Sequence, residues 1–147
     1  MVSRKPEKIQ KTVVSSASLI GKGERILLVE DDKAVQEFTN KGLSENGYMV
    51  FAATNAQQAL NIFQKEKKNF DLVFSDVVLP DGNGPRLAER FLKLKPGISV
   101  LFTSGYSDEK SGWSTIQEKG YPYLQKPYSL TDLLKVVSDT LGNNHRS

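Results

Sequence analysis

The feature that most constrains this chain is a repeated alternation of short apolar runs with segments of helical spacing. The runs are Ile26–Val29, Met49–Ala52, Leu72–Phe74, Val100–Phe102 and a short one at Tyr123–Leu124, each bounded by turn residues. Apolar runs this brief and rich in strand formers predict strands buried on both faces, as in a parallel sheet. Five strands alternating with five helices imply one α/β domain.

The helical segments carry their own signals. Val35, Phe38 and Leu43 fit one helical face, and Ala56, Ala59, Leu60 and Phe63 fit another. Thr54 followed by Gln57 predicts a capping box for the second helix. Pro85 occupies a first helical position before Leu87, Ala88, Phe91 and Leu94, and Pro96-Gly97 stops that helix. The fifth helix starts at Ser129, with Asp132 three residues on, and is expected to bury Leu130, Leu133, Leu134, Val137 and Leu141. The fourth, over residues 107–120, is a poor helix, because Gly112 alone costs about 0.8–1.0 kcal/mol relative to Ala. Its apolar anchors are chiefly Trp113 and Ile116; Trp113, Tyr121 and Tyr128 offer an aromatic patch for a partner, with ordinary packing the alternative for Trp113.

Charge decides between function classes. The chain is +3 overall, yet residues 1–25 carry +4, so the remainder is −1. The basicity belongs to a polar lead-in, residues 1–23, expected to be flexible with a short ordered piece near Val13–Ile20. A folded part so close to neutral lacks the basic footprint of a duplex binder, and no direct nucleic-acid contact is expected. No run approaches a membrane span and no secretory signal precedes the domain. With no cysteine there is no disulfide framework and no thiolate chemistry, consistent with the cytoplasm.

In parallel α/β sheets chemistry collects at the carboxyl ends of the strands. Here the first strand ends in Glu30, Asp31 and Asp32, the third in Ser75-Asp76, the fourth in Thr103-Ser104 and the fifth in Gln125-Lys126-Pro127. Taken singly, each has a bland reading: a helix-starting acidic cluster, a turn aspartate, a turn hydroxyl, a solvated lysine. Their joint placement at one sheet edge favours a shared site. Clustered carboxylates repel and resist ionisation unless a cation sits among them. Oxygen ligands without His or Cys suit a hard ion such as Mg2+, with Mn2+ as the substitute. A lysine and a hydroxyl opposite suit a phosphoryl group carried by a carboxylate nucleophile.

The segments "ILLVEDD", "DLVFSDVVLPDGNG", "VLFTSGY" and "YLQKPYS" together resemble a receiver domain of bacterial two-component response regulators, over roughly residues 24–142. The resemblance implies a flavodoxin-like (βα)5 doubly wound fold with strand order 2-1-3-4-5. It implies Asp76 as phosphoacceptor, and Mg2+ held by Glu30, Asp31, Asp76 and the backbone carbonyl of Val78, with Asp32 outside the ligand set. Lys126 would pair with the phosphoryl oxygens beside a cis Lys126-Pro127 bond. Ser104 and Tyr123 would be switch residues, and Val78 and Tyr106 would tune dephosphorylation. The implied role is a phosphorelay signalling domain, not an enzyme in its own right. Its partners would be a histidine kinase or histidine phosphotransfer domain, and an output protein or second copy on the face of the fourth helix, fifth strand and fifth helix. The lone His145 lies in an expected disordered tail, residues 143–147, so the donor histidine must be elsewhere. The lead-in "GKGERILLVEDD" resembles the junction to the C-terminal receiver of a hybrid histidine kinase; a stand-alone receiver is the alternative.

Two rival readings place acids at parallel strand ends. A Mg2+-dependent phosphohydrolase or Toprim-like domain usually shows a DxD pair, but Val77 and Val78 follow Asp76. A purely structural receiver-like module would normally lack the acceptor or the lysine, and both are present.

Overall fold

The structure, a computed structural model, describes residues 19–105 and 113–146. Its main sheet has five strands: β1 (Arg25–Val29), β2 (Met49–Ala53), β3 (Leu72–Asp76), β4 (Ser99–Ser104) and β5 (Tyr123–Gln125). Every pairing in it is parallel and the order is β2-β1-β3-β4-β5, the order expected. The helices are α1 (Lys33–Ser44), α2 (Ala56–Lys65), α3 (Gly84–Leu94), α4 (Trp113–Lys119) and α5 (Leu130–Arg146).

The strands alternate side chains between two cores, which is why their sequences read as unbroken apolar runs. Ile26, Leu28, Leu72, Phe74, Leu101 and Leu124 face α1 and α5, where they meet Leu43, Leu133 and Val137. Leu27, Val29 and Val73 face the other way, onto Phe63 of α2 and Leu87 and Phe91 of α3. The middles of β1, β3 and β4 are therefore saturated with apolar contacts, and a run of polar side chains gathers at their carboxyl ends. At about 25 cal/mol per Å2, burial of this kind is what fixes the register of the sheet.

Several local expectations hold. Asn83 caps α3 by accepting from the Arg86 N–H at 2.9 Å, with Pro85 in the first turn. The Ser129 hydroxyl accepts from the Asp132 N–H at 3.0 Å, starting α5. Others need correction. The cap of α2 is Asn55, which accepts from the Gln58 N–H, and Gln58 in turn accepts from the Thr54 N–H, so the capping pair is shifted one residue from Thr54–Gln57. Leu130, expected to be buried, is exposed at the edge of the α1–α5 contact, where it lies against Gly42, and Phe38 is exposed although its ring lies 6.2 Å from that of Tyr128. Tyr128 is buried and so is not part of a surface patch, and the half-buried Tyr121 packs edge-on against Phe102 at 5.2 Å. The side chain of Trp113 and the start expected for the fourth helix, residues 107–112, lie outside what is described.

At the amino-terminal flank the packed unit begins before residue 24. Gly21 and Gly23 N–H groups donate to the Asn46 and Gly47 carbonyls at 2.6 and 2.7 Å, tying residues 19–23 to the α1–β2 turn. Leu19 packs against the core beside α5. The remainder of the expected flexible lead-in lies outside the described residues. The expected tail 143–147 is helical as far as Arg146, since extending an established helix is far easier than starting one. A short hairpin, Val78–Leu79 paired with Gly82–Asn83, follows β3 and had no sequence expectation. No helix of the described residues is long and apolar enough to cross a membrane.

Candidate functional site

β1 and β3 are neighbours in the sheet, so Glu30, one residue past β1, and Asp76, at the end of β3, emerge side by side. Both are buried, at 1% and 2% exposure, which no isolated carboxylate tolerates without a charge partner. Lys126 supplies one: its Nζ lies 2.8 Å from Asp76 Oδ1 and 2.9 Å from Glu30 Oε1. One oxygen from each of Glu30, Asp31 and Asp76 falls within 4.8 Å of the others, with Asp31 on the solvent side.

Glu30 is held from three directions. The Asp32 N–H donates to its Oε2 at 3.0 Å, Lys126 faces Oε1, and the Gln36 side-chain amide donates to its backbone carbonyl at 2.9 Å. The same amide reaches the Ala53 carbonyl at the end of β2 at 3.2 Å. Asp32 itself is engaged as the cap of α1, accepting from the Val35 N–H. Its carboxylate thus serves the helix, as the bland reading of the acidic triplet held, while Glu30 and Asp31 turn to the cluster.

The electrostatics leave the cluster short of positive charge. Burial pushes the Asp76 carboxyl up to about 8; the neighbouring Glu30 adds to the rise and Lys126 opposes it. Burial disfavours the charge of Lys126, but its pairing with Asp76 and Glu30 outweighs that and raises its pKa. One lysine facing two buried carboxylates cannot offset both. A hard divalent cation among three carboxylate oxygens would, and the all-oxygen donor set with an open, exposed side at Asp31 fits Mg2+ or Mn2+.

The remaining expected residues are placed as follows. Ser104 ends β4, is 6% exposed, and its carbonyl accepts from the Lys126 N–H at 2.9 Å. Its neighbour Thr103 is register-paired with Asp76. Val78 begins the hairpin after β3 and is exposed. Tyr123 begins β5 beside Phe102 and is 48% exposed, at the rim and not at the carboxylates. Lys126-Pro127 is cis. Tyr106 lies outside the described residues.

Sequence reasoning missed Gln36 and Asp81. Asp81, in the loop after Asp76, accepts from the Ala56 and Gln57 N–H groups at 2.8 and 3.0 Å, so it ties that loop to the start of α2. Those backbone bonds hold its carboxyl below the usual range. The Asp81-Gly82 turn signal was visible in sequence; its partner two strands away was not.

The comparisons with known proteins agree with this geometry. Residues 26–138 match the Response regulator receiver domain family, and the chain belongs to that family. It is 33% identical over 140 residues to the sensor kinase CckA of Brucella abortus (strain 2308), an alignment covering 95% of this chain and 14% of the kinase. It is 30% identical over 118 residues to the response regulator receiver protein CpdR of the same organism, covering 80% of this chain and 97% of CpdR. A solved CheY-like response regulator receiver domain protein from Methanospirillum hungatei JF-1 is similar with a TM-score of 0.74 and 31% identity, over 84% of this chain and 98% of that one. The chain spans about half or less of several other curated relatives it matches.

Proposed function

We propose that this receiver domain accepts a phosphoryl group on Asp76 from a phosphohistidine of a histidine kinase or histidine phosphotransfer domain. The observation that carries the reading is the buried Asp76 at a strand end, 2.8 Å from Lys126 and clustered with Glu30 and Asp31. A carboxylate oxygen of Asp76 attacks phosphorus as the phosphorus–nitrogen bond breaks, and the electron pair of that bond stays on the donor imidazole. Lys126 transfers its contact from the free carboxylates to the phosphoryl oxygens, and the Ser104 hydroxyl donates to another of them.

Glu30, Asp31, Asp76 and the Val78 backbone carbonyl would hold Mg2+ or Mn2+. When bound, that ion supplies charge neutralisation for the carboxylates and for the transferring group. The chain's own groups do the rest: Gln36 and the Asp32 N–H orient Glu30, and the sheet holds Asp76 rigid against Thr103. The domain assists its own phosphorylation and is not a turnover enzyme. Phosphorylation would switch the α4-β5-α5 face, where an output protein or second copy binds, with Ser104 and Tyr123 relaying the change. The setting is cytoplasmic and no nucleic acid is contacted directly.

Similarity to a sensor kinase across 95% of this chain favours the receiver of a hybrid histidine kinase. Similarity to CpdR, nearly all of which the chain spans, favours a stand-alone receiver. The phosphoacceptor chemistry is the same in both. Calorimetric titration with Mg2+ tests the ligand set: Asp31→Asn should weaken binding about tenfold or more, and unchanged affinity would remove Asp31 from it.

A further inference from the structure

Two residues near the site break local preferences, and they do so together. Thr39 sits inside α1, where a β-branched hydroxyl residue is disfavoured relative to Ala or Leu, and it is fully buried. Tyr128 is buried to 9% exposure, and a buried phenol without a partner loses its hydration for nothing. Their hydroxyl oxygens meet at 2.7 Å in the interior. Valine and phenylalanine would fill the same space without polar atoms. Burial pushes the Tyr128 hydroxyl up to about 12, so it remains a neutral hydrogen-bonding group at any ordinary pH.

The location gives the pair a consequence. Tyr128 is two residues past Lys126, and its ring lies 6.2 Å from that of Phe74, which precedes Asp76 by two on β3. Thr39 is one turn past Gln36 on the same face of α1, and Gln36 holds the Glu30 carbonyl. One helix therefore grips both sides of the ion cluster, the carboxylate side through Gln36 and the lysine side through Thr39. On its other flank the Lys126 N–H is fixed to the Ser104 carbonyl.

Building on the phosphoacceptor reading, we propose that Thr39 and Tyr128 are positioning residues whose buried hydrogen bond fixes the Lys126–Tyr128 loop on α1 and thereby aims Lys126 Nζ at Asp76. Lysine is a flexible four-carbon tether, so the direction of its ammonium depends on how firmly its backbone is held. Loss of the bond leaves the fold intact and lets the loop shift; small misplacements of a charged group reduce rate more than stability.

The test uses Thr39→Val, Tyr128→Phe, the double variant and Thr39→Ser in the full chain. Each is labelled with acetyl phosphate at saturating Mg2+, well below its unfolding midpoint, and Mg2+ affinity is measured separately by calorimetry. Thr39→Val and Tyr128→Phe should each slow labelling of Asp76 about 3–10-fold, the double variant no further than the slower single, since the two act as one unit. Thr39→Ser, which keeps the hydroxyl, should label within about twofold of the unmodified chain, and Mg2+ affinity should change by no more than about twofold. Variants that unfold at lower temperature yet label at the unmodified rate would overturn the inference and leave only a packing role. A double variant that is slower by the product of the two singles would overturn it as well. Failure of the unmodified chain to label at Asp76 would overturn the phosphoacceptor reading and this inference with it.

Discussion

Lys126 Nζ lies 2.8 Å from Asp76 Oδ1, in an interior where Asp76 is 2% exposed and Glu30 shares the same lysine. The contact joins the end of β3 to the residue after β5 across the intervening β4, and it depends on the parallel sheet bringing those ends to one edge. It leaves two carboxylates for one cation, and the consequences of that imbalance are measurable.

The first is a pH dependence of stability without metal. The ordinary carboxyl value is 3.8 and Asp76 in the folded chain is raised to about 8, because burial outweighs the lysine. Between about pH 4 and 8 the folded chain therefore holds a proton that the unfolded chain has released, and stability falls as pH rises through that window. Asp76→Asn removes the ionisation. In chelator, it should be more stable than the unmodified chain at pH 8 by on the order of 1 kcal/mol, with the difference closing towards pH 4. Mg2+ should raise the midpoint of the unmodified chain more than that of the variant. Thermal unfolding across this range is the measurement; equal midpoints at every pH would remove the imbalance.

A second prediction concerns the backbone beneath the acceptor. A Cβ at Gly84 would overlap the Asp76 carbonyl oxygen and press on the Phe102 ring, and the Gly84 N–H already donates to the Val77 carbonyl at 2.7 Å. The constraint is steric closeness to a backbone atom that cannot swing away. Gly84→Ala should cost about 1–3 kcal/mol, the usual range for overpacking, and should slow phosphorylation by displacing Asp76. Denaturant unfolding with parallel labelling kinetics would show both effects; a variant as stable and as fast as the unmodified chain would show that the hairpin moves aside.

The lifetime of the phosphorylated state is the third. An acyl phosphate is lost when water attacks in line, and Val78, two residues past Asp76, is exposed. An apolar residue there cannot orient water, and a bulky ring at Tyr106 would obstruct its approach, so spontaneous loss should be slow. Val78→Asn and Tyr106→Ala should each shorten the lifetime about threefold or more, a barrier change on the order of 0.7 kcal/mol. Decay of labelled protein followed by mass spectrometry reads this directly, and unaltered decay in both would locate the gate elsewhere.

The fourth concerns the output face. The described part of α4 is Trp113–Lys119, and Ile116 is buried in it. A segment this rich in Gly, Ser and Thr has weak helix propensity of its own and depends on few apolar anchors. Hydrogen exchange should find it the least protected helix, and an aspartyl-phosphate mimic with Mg2+ should change its protection most, because a marginal element is readily biased. High protection that ignores the mimic would direct the search to another surface.

What could be read from sequence divides along physical lines. β1, β3 and β4 were legible because an interior parallel strand must be apolar on both faces, and "ILLV" has few other uses. The two-residue strands of the Val78–Asn83 hairpin were illegible, since they carry no periodicity and exist through their own hydrogen bonds. The exposure of Phe38 and Leu130 was missed because helical spacing places residues on a face but does not say how much of that face the neighbouring helix covers. At the site, Glu30, Asp76 and Lys126 could be brought together on paper because parallel strands put their carboxyl ends at one edge of the sheet. Gln36, Thr39 and Asp81 could not, because a polar residue on an amphipathic helix or in a turn looks the same whether it faces water or a distant carbonyl.

The central claim is that Asp76 is the group that receives the phosphoryl. Treating the chain with a small phosphodonor and Mg2+, then measuring intact and peptide mass, tests it most directly. One acid-labile phosphoryl group should appear on the peptide containing Asp76, and Asp76→Asn should abolish it. Full labelling of Asp76→Asn, or a label on any other residue of the unmodified chain, would contradict the account.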